Sequence, residues 1–326
     1  MVEFSVTILG CGSAKPTAQH HTSSQIVTRL GKLYMIDCGE GTQRQLLKYR
    51  FHESQLENIF ISHSHGDHCL GLVGLLSSLS LTDRFQGMNI YIPADFEQML
   101  KSQIDFFIPH PSYEIRIHPI ECQEPTLIFS DIHFQVTAIP LKHGVPCYGF
   151  LFREQEGKRH IKPECIQQYG IPYELLAGIQ CGEDFTTADG RVIPNGDLTT
   201  PPALTRSYAY LSDTRPVWEH ADLLQDVDLM YHDSTYYEGY EDLACQYDHS
   251  TAGEAAEFAK KCNAGRLLLG HFSSRCEDPE WMVGCAAKYH PHTTIADEGL
   301  TVKILDKTER GALFTEWRKG EWRKGH

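Results

Sequence analysis

The six residues His63-Ser-His65-Gly-Asp67-His68 constrain this chain more than any other feature, because four metal-ligand side chains follow directly on the apolar run Ile59-Phe-Ile-Ser62. A short apolar run reads as a buried strand, and its end is where the backbone turns. His-x-His on an extended segment sends both rings to one side, and imidazoles with carboxylates suit a divalent ion such as zinc. Gly66 is expected to permit a tight reversal that carries Asp67 and His68 round to a second ion. A lone His-x-His would more simply be a solvated loop. Four ligand-type residues at this spacing make a metal centre the stronger reading.

Ligand-type residues recur at the ends of other strand-like runs. His143 follows the run 134–141, Asp213 follows 208–212, and His271 follows 267–270. In layered α/β folds, functional groups gather on loops at the carboxyl ends of strands. Singly, these three read as a surface histidine, a turn residue and a core histidine. Together they complete an inventory for two ions, each needing about four ligands with a position left for water. His63, His65 and His143 would hold the first, Asp67, His68 and His271 the second, and Asp213 would bridge them. Between two such ions the pKa of water falls to about 7, from about 15.7 in bulk. His232 is not needed as a ligand. His249 is read as a proton donor to a leaving oxygen, with Asp233 to orient it.

Strand-like runs at 4–10, 24–30, 33–36, 58–62, 89–92, 133–141, 208–212, 228–231 and 266–270 alternate with helical stretches at 41–49, 70–81 and 251–262. Thr251 and Glu254 have capping-box spacing at the start of the last helix. The alternation predicts an α/β or layered α+β fold. Residues 153–207 break the rhythm with Gly, Pro and Thr, and the segment is read as an arm protruding from the domain. At the other end, Trp317-Arg-Lys-Gly320 recurs as Trp322-Arg-Lys-Gly325. A frayed tail is favoured there over a basic, aromatic RNA contact. Gly10-Cys-Gly12 hints at a dinucleotide loop, but Lys15 stands where a third glycine would be, leaving a tight turn with close backbone packing.

With 326 residues, 41% hydrophobic and 22% charged, the chain belongs with ordinary globular proteins. No apolar run approaches the roughly 20 residues of a membrane span, and no signal peptide is evident, so no membrane association and a cytoplasmic location are expected. Eleven cysteines without a Cys-x-x-Cys pair read as reduced packing thiols. The net charge of −14 argues against non-specific nucleic-acid binding; an RNA would be held by a local patch and by metal ions.

The run from His63 to His68 resembles the signature of metallo-β-lactamase-fold hydrolases. More specific is an ordered set spanning residues 4 to about 305: Leu9-Gly-Cys-Gly-Ser13 with Pro16-Thr17, Asp37-Cys-Gly-Glu-Gly-Thr-Gln43, Ser212-Asp-Thr-Arg-Pro216, His232-Asp-Ser-Thr235, His249-Ser-Thr251 and His271-Phe-Ser-Ser-Arg275. That set resembles bacterial ribonuclease Z. The resemblance implies a four-layer αβ/βα sandwich forming one catalytic domain over 1–306, an inserted tRNA-binding arm over 153–200, and a C-terminal tail over 307–326. It further implies two Zn2+ per subunit (or Mn2+ or another divalent ion) on the seven ligands named above. The implied reaction is cleavage of precursor tRNA after the discriminator nucleotide, leaving a 3′ hydroxyl. Asp67 would accept the proton of the attacking water and His249 would assist the leaving group. Ser273 and Arg275 would lie near the scissile phosphate, Lys158 and Arg159 would serve the arm, and the enzyme would be a homodimer.

Three departures from the family pattern are visible. The arm tip, 171–184, is less basic; Ala18-Gln19-His20-His21 replaces a basic segment; and Asp233 stands where glutamate is common, a shortening expected to weaken its pairing with His249. Two other functions compete: a small-molecule ester or lactone hydrolase of the same fold, and a zinc-stabilised RNA-binding protein without catalysis.

Overall fold

The computed structural model describes residues 3–82, 84–202, 204–274, 279–305 and 315–318. The first half supplies β1 (Phe4–Gly10), β2 (Ser24–Arg29), β3 (Lys32–Ile36), β4 (Leu56–Phe60), β5 (Met88–Pro93) and β6 (Ile115–Ile120), with helices α1 (Thr42–Lys48), α2 (Gly66–Cys69), α3 (Leu72–Ser80) and α4 (Glu97–Phe107) between them. Next come β7 (Thr126–Ser130), β8 (Phe134–Pro140) and β9 (Tyr148–Glu154). After the arm follow β14 (Ser207–Leu211), β15 (Leu229–Asp233), α8 (Glu241–Gln246), α9 (Ala252–Lys261), β16 (Arg266–Gly270), α10 (Pro279–Ala286), β17 (Thr293–Ile295), β18 (Leu300–Lys303) and β19 (Thr315–Arg318). Two sheets result, one of eight strands in the order β19-β18-β1-β2-β3-β4-β5-β6 and one of seven in the order β17-β16-β15-β14-β9-β8-β7.

Period-two alternation sets the layers. Phe4, Val6, Ile8, Tyr34, Ile36 and Phe60 point into the core shared with the second sheet, packing with Phe134, Phe150 and Phe152. Their neighbours Leu9, Ile26, Leu33, Met35 and Ile59 face the other way, onto Leu72, Leu75, Leu76 and Leu79 of α3 and Leu100 of α4. On the far side of the second sheet, α9 buries Ala252, Ala255, Ala256, Phe258 and Ala259. The layers therefore run helix, sheet, sheet, helix.

Strand direction then decides where function can sit. β14, β15, β16 and β17 are parallel neighbours, with Leu211 opposite His232 and His232 opposite Leu269. In the first sheet β3, β4 and β5 are parallel as well. The carboxyl ends of these strands fall at one end of the sandwich, and His143 joins them from the turn of the antiparallel β8–β9 hairpin.

Several elements differ from the sequence reading. The helix expected at 70–81 is α3, at 72–80, and a separate short helix, α2, precedes it at 66–69; Gly71 between them bonds Cys38 O at 2.9 Å through its N–H, and a Cβ there would lie 2.2 Å from Gly39 O. Gly66 takes no left-handed conformation; it begins α2, and this helical turn rather than a glycine reversal redirects Asp67 and His68. Strands β6, β7, β9, β17 and β18 and helices α4 and α10 are not among the elements read from the sequence. β6 and β7 are half-exposed and of mixed polarity, so their alternation is faint. Gly10 does pack closely, since a Cβ there would lie 1.8 Å from Thr22 O.

The arm is folded. It contains β10 (His160–Ile161) paired with β13 (Thr199–Thr200), β11 (Phe185–Thr186) paired with β12 (Val192–Ile193), and helices α5 (Pro163–Tyr169), α6 (Leu176–Gln180) and α7 (Asn195–Leu198). Cys165, Ile171, Ile179, Phe185, Ile193 and Leu198 give it a separate small core. Of the tail, residues 315–318 pair with β18, and the second copy of its repeat lies outside the described residues. The ten described cysteines are free, and no described helix is long and apolar enough to cross a membrane.

Candidate metal centre

The seven side chains singled out in the sequence meet at the carboxyl-terminal end of the sandwich. Ligand atoms of His63, His65, His143 and Asp213 lie within 4.8 Å of one another, and so do those of Asp67, His68, Asp213 and His271. Asp213 belongs to both groups: its Oδ2 faces rings of each, including His68 Nε2 at 3.5 Å, and its Oδ1 faces His271 of the second. Oδ2 lies 3.2 Å from His63 Nε2 and 3.9 Å from His143 Nε2, whereas Oδ1 lies 2.8 Å from His271 Nε2. Two of the ligands sit on strained backbone: Asp213 and His271 have φ of 53° and 62°, a left-handed conformation rare outside glycine and held only where the surroundings demand it.

Three of the five rings, those of His68, His271 and His63, are turned by a bond on the far nitrogen. His68 Nδ1 lies 2.7 Å from Asp37 Oδ2, His271 Nδ1 lies 2.9 Å from Thr235 Oγ1, and His63 Nδ1 lies 3.0 Å from Ser62 Oγ. Fixing Nδ1 in this way aims Nε2 at the centre, the usual outer support of metal-bound histidines. His68 Nε2 and His271 Nε2 are buried and have no hydrogen-bond partner. Buried polar atoms are rarely left so. Imidazole nitrogens and carboxylate oxygens converging in this way suit divalent cations, and this N/O set fits zinc.

The charge balance agrees. Burial alone would raise Asp67, but His68 and His271 beside it hold its carboxyl far below the usual range; Asp213 is likewise lowered by His271, His68 and His63 against the effect of burial. Burial would lower His271, yet Asp213 and Asp67 push it up to about 10. Burial keeps His63 low and His143 down at about 4, leaving both neutral and ready to coordinate. Cations entering the second group must therefore displace protons, and metal binding should release them.

His249 and Asp233 stand at the rim. His249 Nδ1 lies 2.7 Å from Asp233 Oδ2, so the shorter carboxylate reaches the ring after all and the expected weakening of the pair is not seen. The His249 ring stacks at 5.5 Å from His271 and lies 5.5 Å from His143. Burial lowers its pKa, but the Asp233 carboxylate more than offsets this and the net shift is upward. The capping box of Thr251 and Glu254 forms as expected, and Arg215, paired with Glu254, also donates to His249 O at 2.9 Å. His232 turns away from the centre, its Nδ1 on Asp233 O.

Other expected contact residues lie apart. Lys158 is exposed on the arm, while Arg159 donates to Thr199 Oγ1 at 2.7 Å and Lys162 to Asp197 O at 2.8 Å, so both also hold the arm together. Ser273 follows Phe272, whose carbonyl accepts from Ser13 N, and Arg275 lies outside the described residues.

Asp37 and Thr235 sit within the sequence motifs, yet their type and spacing assign them no role there. Asp37 is fully buried at φ 55° and receives Ser62 N, Ser62 Oγ and Tyr210 OH as well as facing His68. Its position one residue past the run 33–36 is the available signal. Replacing Asp37 by Ala should weaken metal binding about 10–100-fold, the usual cost of losing such a support. Competition against a calibrated chelator reads this directly, and unchanged affinity would remove Asp37 from the centre.

Among known proteins, the chain is 41% identical over 309 residues to the ribonuclease Z of Bacteroides thetaiotaomicron, covering 95% of this chain and 98% of that one. To the ribonuclease Z of Porphyromonas gingivalis strain W83 it is 42% identical over 304 residues, covering 93% of this chain and all of that one (100%). A family model for the anti-Pycsar protein Apyc1 matches residues 4–157. Among solved structures, the short form of human tRNase Z superimposes with a TM-score of 0.68 at 26% identity, covering 92% of this chain and 99% of that one. The metallo-β-lactamase-fold protein YhfI of Bacillus subtilis superimposes at 0.67 with 18% identity over 93% of this chain and 100% of that one, which speaks for the fold.

Proposed function

The chain belongs to the ribonuclease Z family of hydrolytic endoribonucleases and carries His/Asp groups that could hold divalent metal, and from that premise we propose that it is a metal-dependent enzyme that removes the 3′ trailer of precursor tRNA by cutting after the discriminator nucleotide. The observation that carries the reading is the meeting of two ligand groups on Asp213 with the His249–Asp233 pair beside them. His63, His65, His143 and Asp213 would hold one ion and Asp67, His68, Asp213 and His271 the other, and we assign both as zinc. Bound there, the ions would supply charge that acidifies water to about pKa 7 and neutralises the phosphate.

The chain's own residues do the rest. Asp67, whose Oδ2 accepts Ala14 N at 2.7 Å, accepts the proton of the attacking water. His249 donates a proton to the departing 3′ oxygen of the tRNA, which becomes the product hydroxyl. Ser273 and Arg275 contact the phosphate being cut. The arm, with Lys158 and Arg159, binds tRNA phosphates away from the cut, contacts that position rather than specify. We further assign the enzyme as a homodimer of single catalytic domains spanning 1–306, acting in the cytoplasm.

The test is cleavage of a precursor tRNA carrying a 3′ trailer, mapped at single-nucleotide resolution with and without chelator. One cut after the discriminator, lost on chelation and regained with zinc, is the expected result. Cuts scattered elsewhere, or turnover only on a panel of esters and lactones, would overturn it.

A pH signature follows from the rim pair. The Asp233 carboxylate raises the pKa of His249, so Asp233→Asn should lower it. The protonated donor is then lost at a lower pH, and the basic limb of the kcat/KM profile moves toward acid. A profile with the basic limb unmoved would free His249 of this role.

A further inference from the structure

Outside the centre, three more ligand-type groups converge. Cys11, just past β1, His20 of the loop 13–21, and Glu298, just before β18, present ligand atoms that also lie within 4.8 Å of one another. Cys11 Sγ is 3.6 Å from His20 Nδ1 and 3.9 Å from Glu298 Oε1, and His20 Nδ1 is 3.2 Å from Glu298 Oε2. A tetrahedral zinc with bonds of about 2.3 Å to sulfur and 2.0–2.2 Å to nitrogen and oxygen spaces its ligands roughly 3.3–3.6 Å apart. The sulfur–nitrogen separation fits that spacing, the nitrogen–oxygen one, to Oε2, is about 0.1 Å short of it, and the sulfur–oxygen one, to the other carboxylate oxygen Oε1, exceeds it by a few tenths of an ångström.

The surroundings favour a cation over a plain hydrogen-bonded trio. Cys11 is fully buried, and its sulfur faces three polar partners at once: His20, Glu298 and the Ala296 carbonyl at 3.5 Å. A thiol has only one weak proton to give. Glu298 is anchored from behind, its Oε1 accepting His21 N at 2.8 Å, as ligating carboxylates commonly are. His20 keeps a quarter of its side chain exposed, which leaves an entry route.

We propose that Cys11, His20 and Glu298 form a further metal site, separate from the catalytic pair and suited to zinc or a similar transition cation. Water or the Ala296 carbonyl supplies the fourth position. On coordination Cys11 gives its proton to solvent. Burial and the carboxylates of Glu298 and Asp297 hold that thiol neutral in the absence of a cation. The site clamps the loop 13–21 between β1 and β18, and the same loop delivers Ala14 N to Asp67. The ion is thus structural, holding a catalytic carboxylate's partner in place.

Cobalt substitution of the full-length chain tests this, because the catalytic pair offers only nitrogen and oxygen donors. Cobalt-loaded protein should show a near-ultraviolet thiolate-to-cobalt charge-transfer band, with one equivalent of metal more than Cys11→Ala retains. The band should vanish in Cys11→Ala and weaken in His20→Ala and Glu298→Gln. It should persist in Cys147→Ala, whose sulfur lies 3.9 Å from Asp213 O and could otherwise be its source. Visible cobalt absorption without the ultraviolet band overturns the further site while leaving the catalytic centre standing. A band abolished by Cys147→Ala but kept in the natively folded His20→Ala protein overturns it too.

Discussion

Asp213→Ala is expected to empty both metal positions and to lower turnover on precursor tRNA on the order of 10³-fold or more, since losing several kcal/mol of charge stabilisation in the transition state costs about tenfold per 1.4 kcal/mol. No other side chain belongs to both catalytic ligand groups. Its Oδ2 serves His63, His68 and His143, and its Oδ1 serves His271. Elemental analysis of the dialysed variant beside single-turnover kinetics reads both effects, and a variant that retained the wild-type metal content would refute a shared bridging role.

Asp67→Ala separates chemistry from binding. A positioned acid or base contributes about 10²–10⁴-fold, and a fall of that size is expected in the single-turnover rate. Precursor tRNA affinity should stay close to wild type, because Asp67 lies on the floor of the centre with a tenth of its side chain exposed, whereas phosphate contacts are drawn from the surface. Partial loss of one metal is expected as well, so the rate is to be measured at saturating zinc. Turnover unchanged at saturation would remove Asp67 as proton acceptor; affinity lost together with rate would make it a substrate contact.

Asp213 and Asp67 are both legible in the sequence, and the reason is local. His63 to His68 occupies one strand end, so its geometry is set by a few backbone angles, and His143, Asp213 and His271 each follow an apolar run whose end marks the same edge of a sheet. Asp233 and His249 are legible for a similar reason, one closing a strand and the other preceding a capped helix. Asp37 carries the same signal, but its chemistry is indirect: it bonds His68 Nδ1 and never reaches the centre, so residue type alone does not single it out. Thr235, bonded to both His249 and His271, offers no such signal. The arm shows its boundaries but not its interior, since its core is built from six short segments with too few residues each for a period to register.

Sequence by itself determined the layered αβ/βα class, the family and the identity of the seven converging side chains, because strand alternation, ligand type and motif order are properties of neighbouring residues. Only the tertiary structure decided that Asp213 faces both ligand groups, that Asp233 is long enough to reach His249, and that Cys11 meets His20 and Glu298. Those facts depend on the registers of β14 and β16 against β15 and on the approach of β1 to the turn preceding β18. Such distances arise from packing between segments remote in the chain, and no local pattern encodes them.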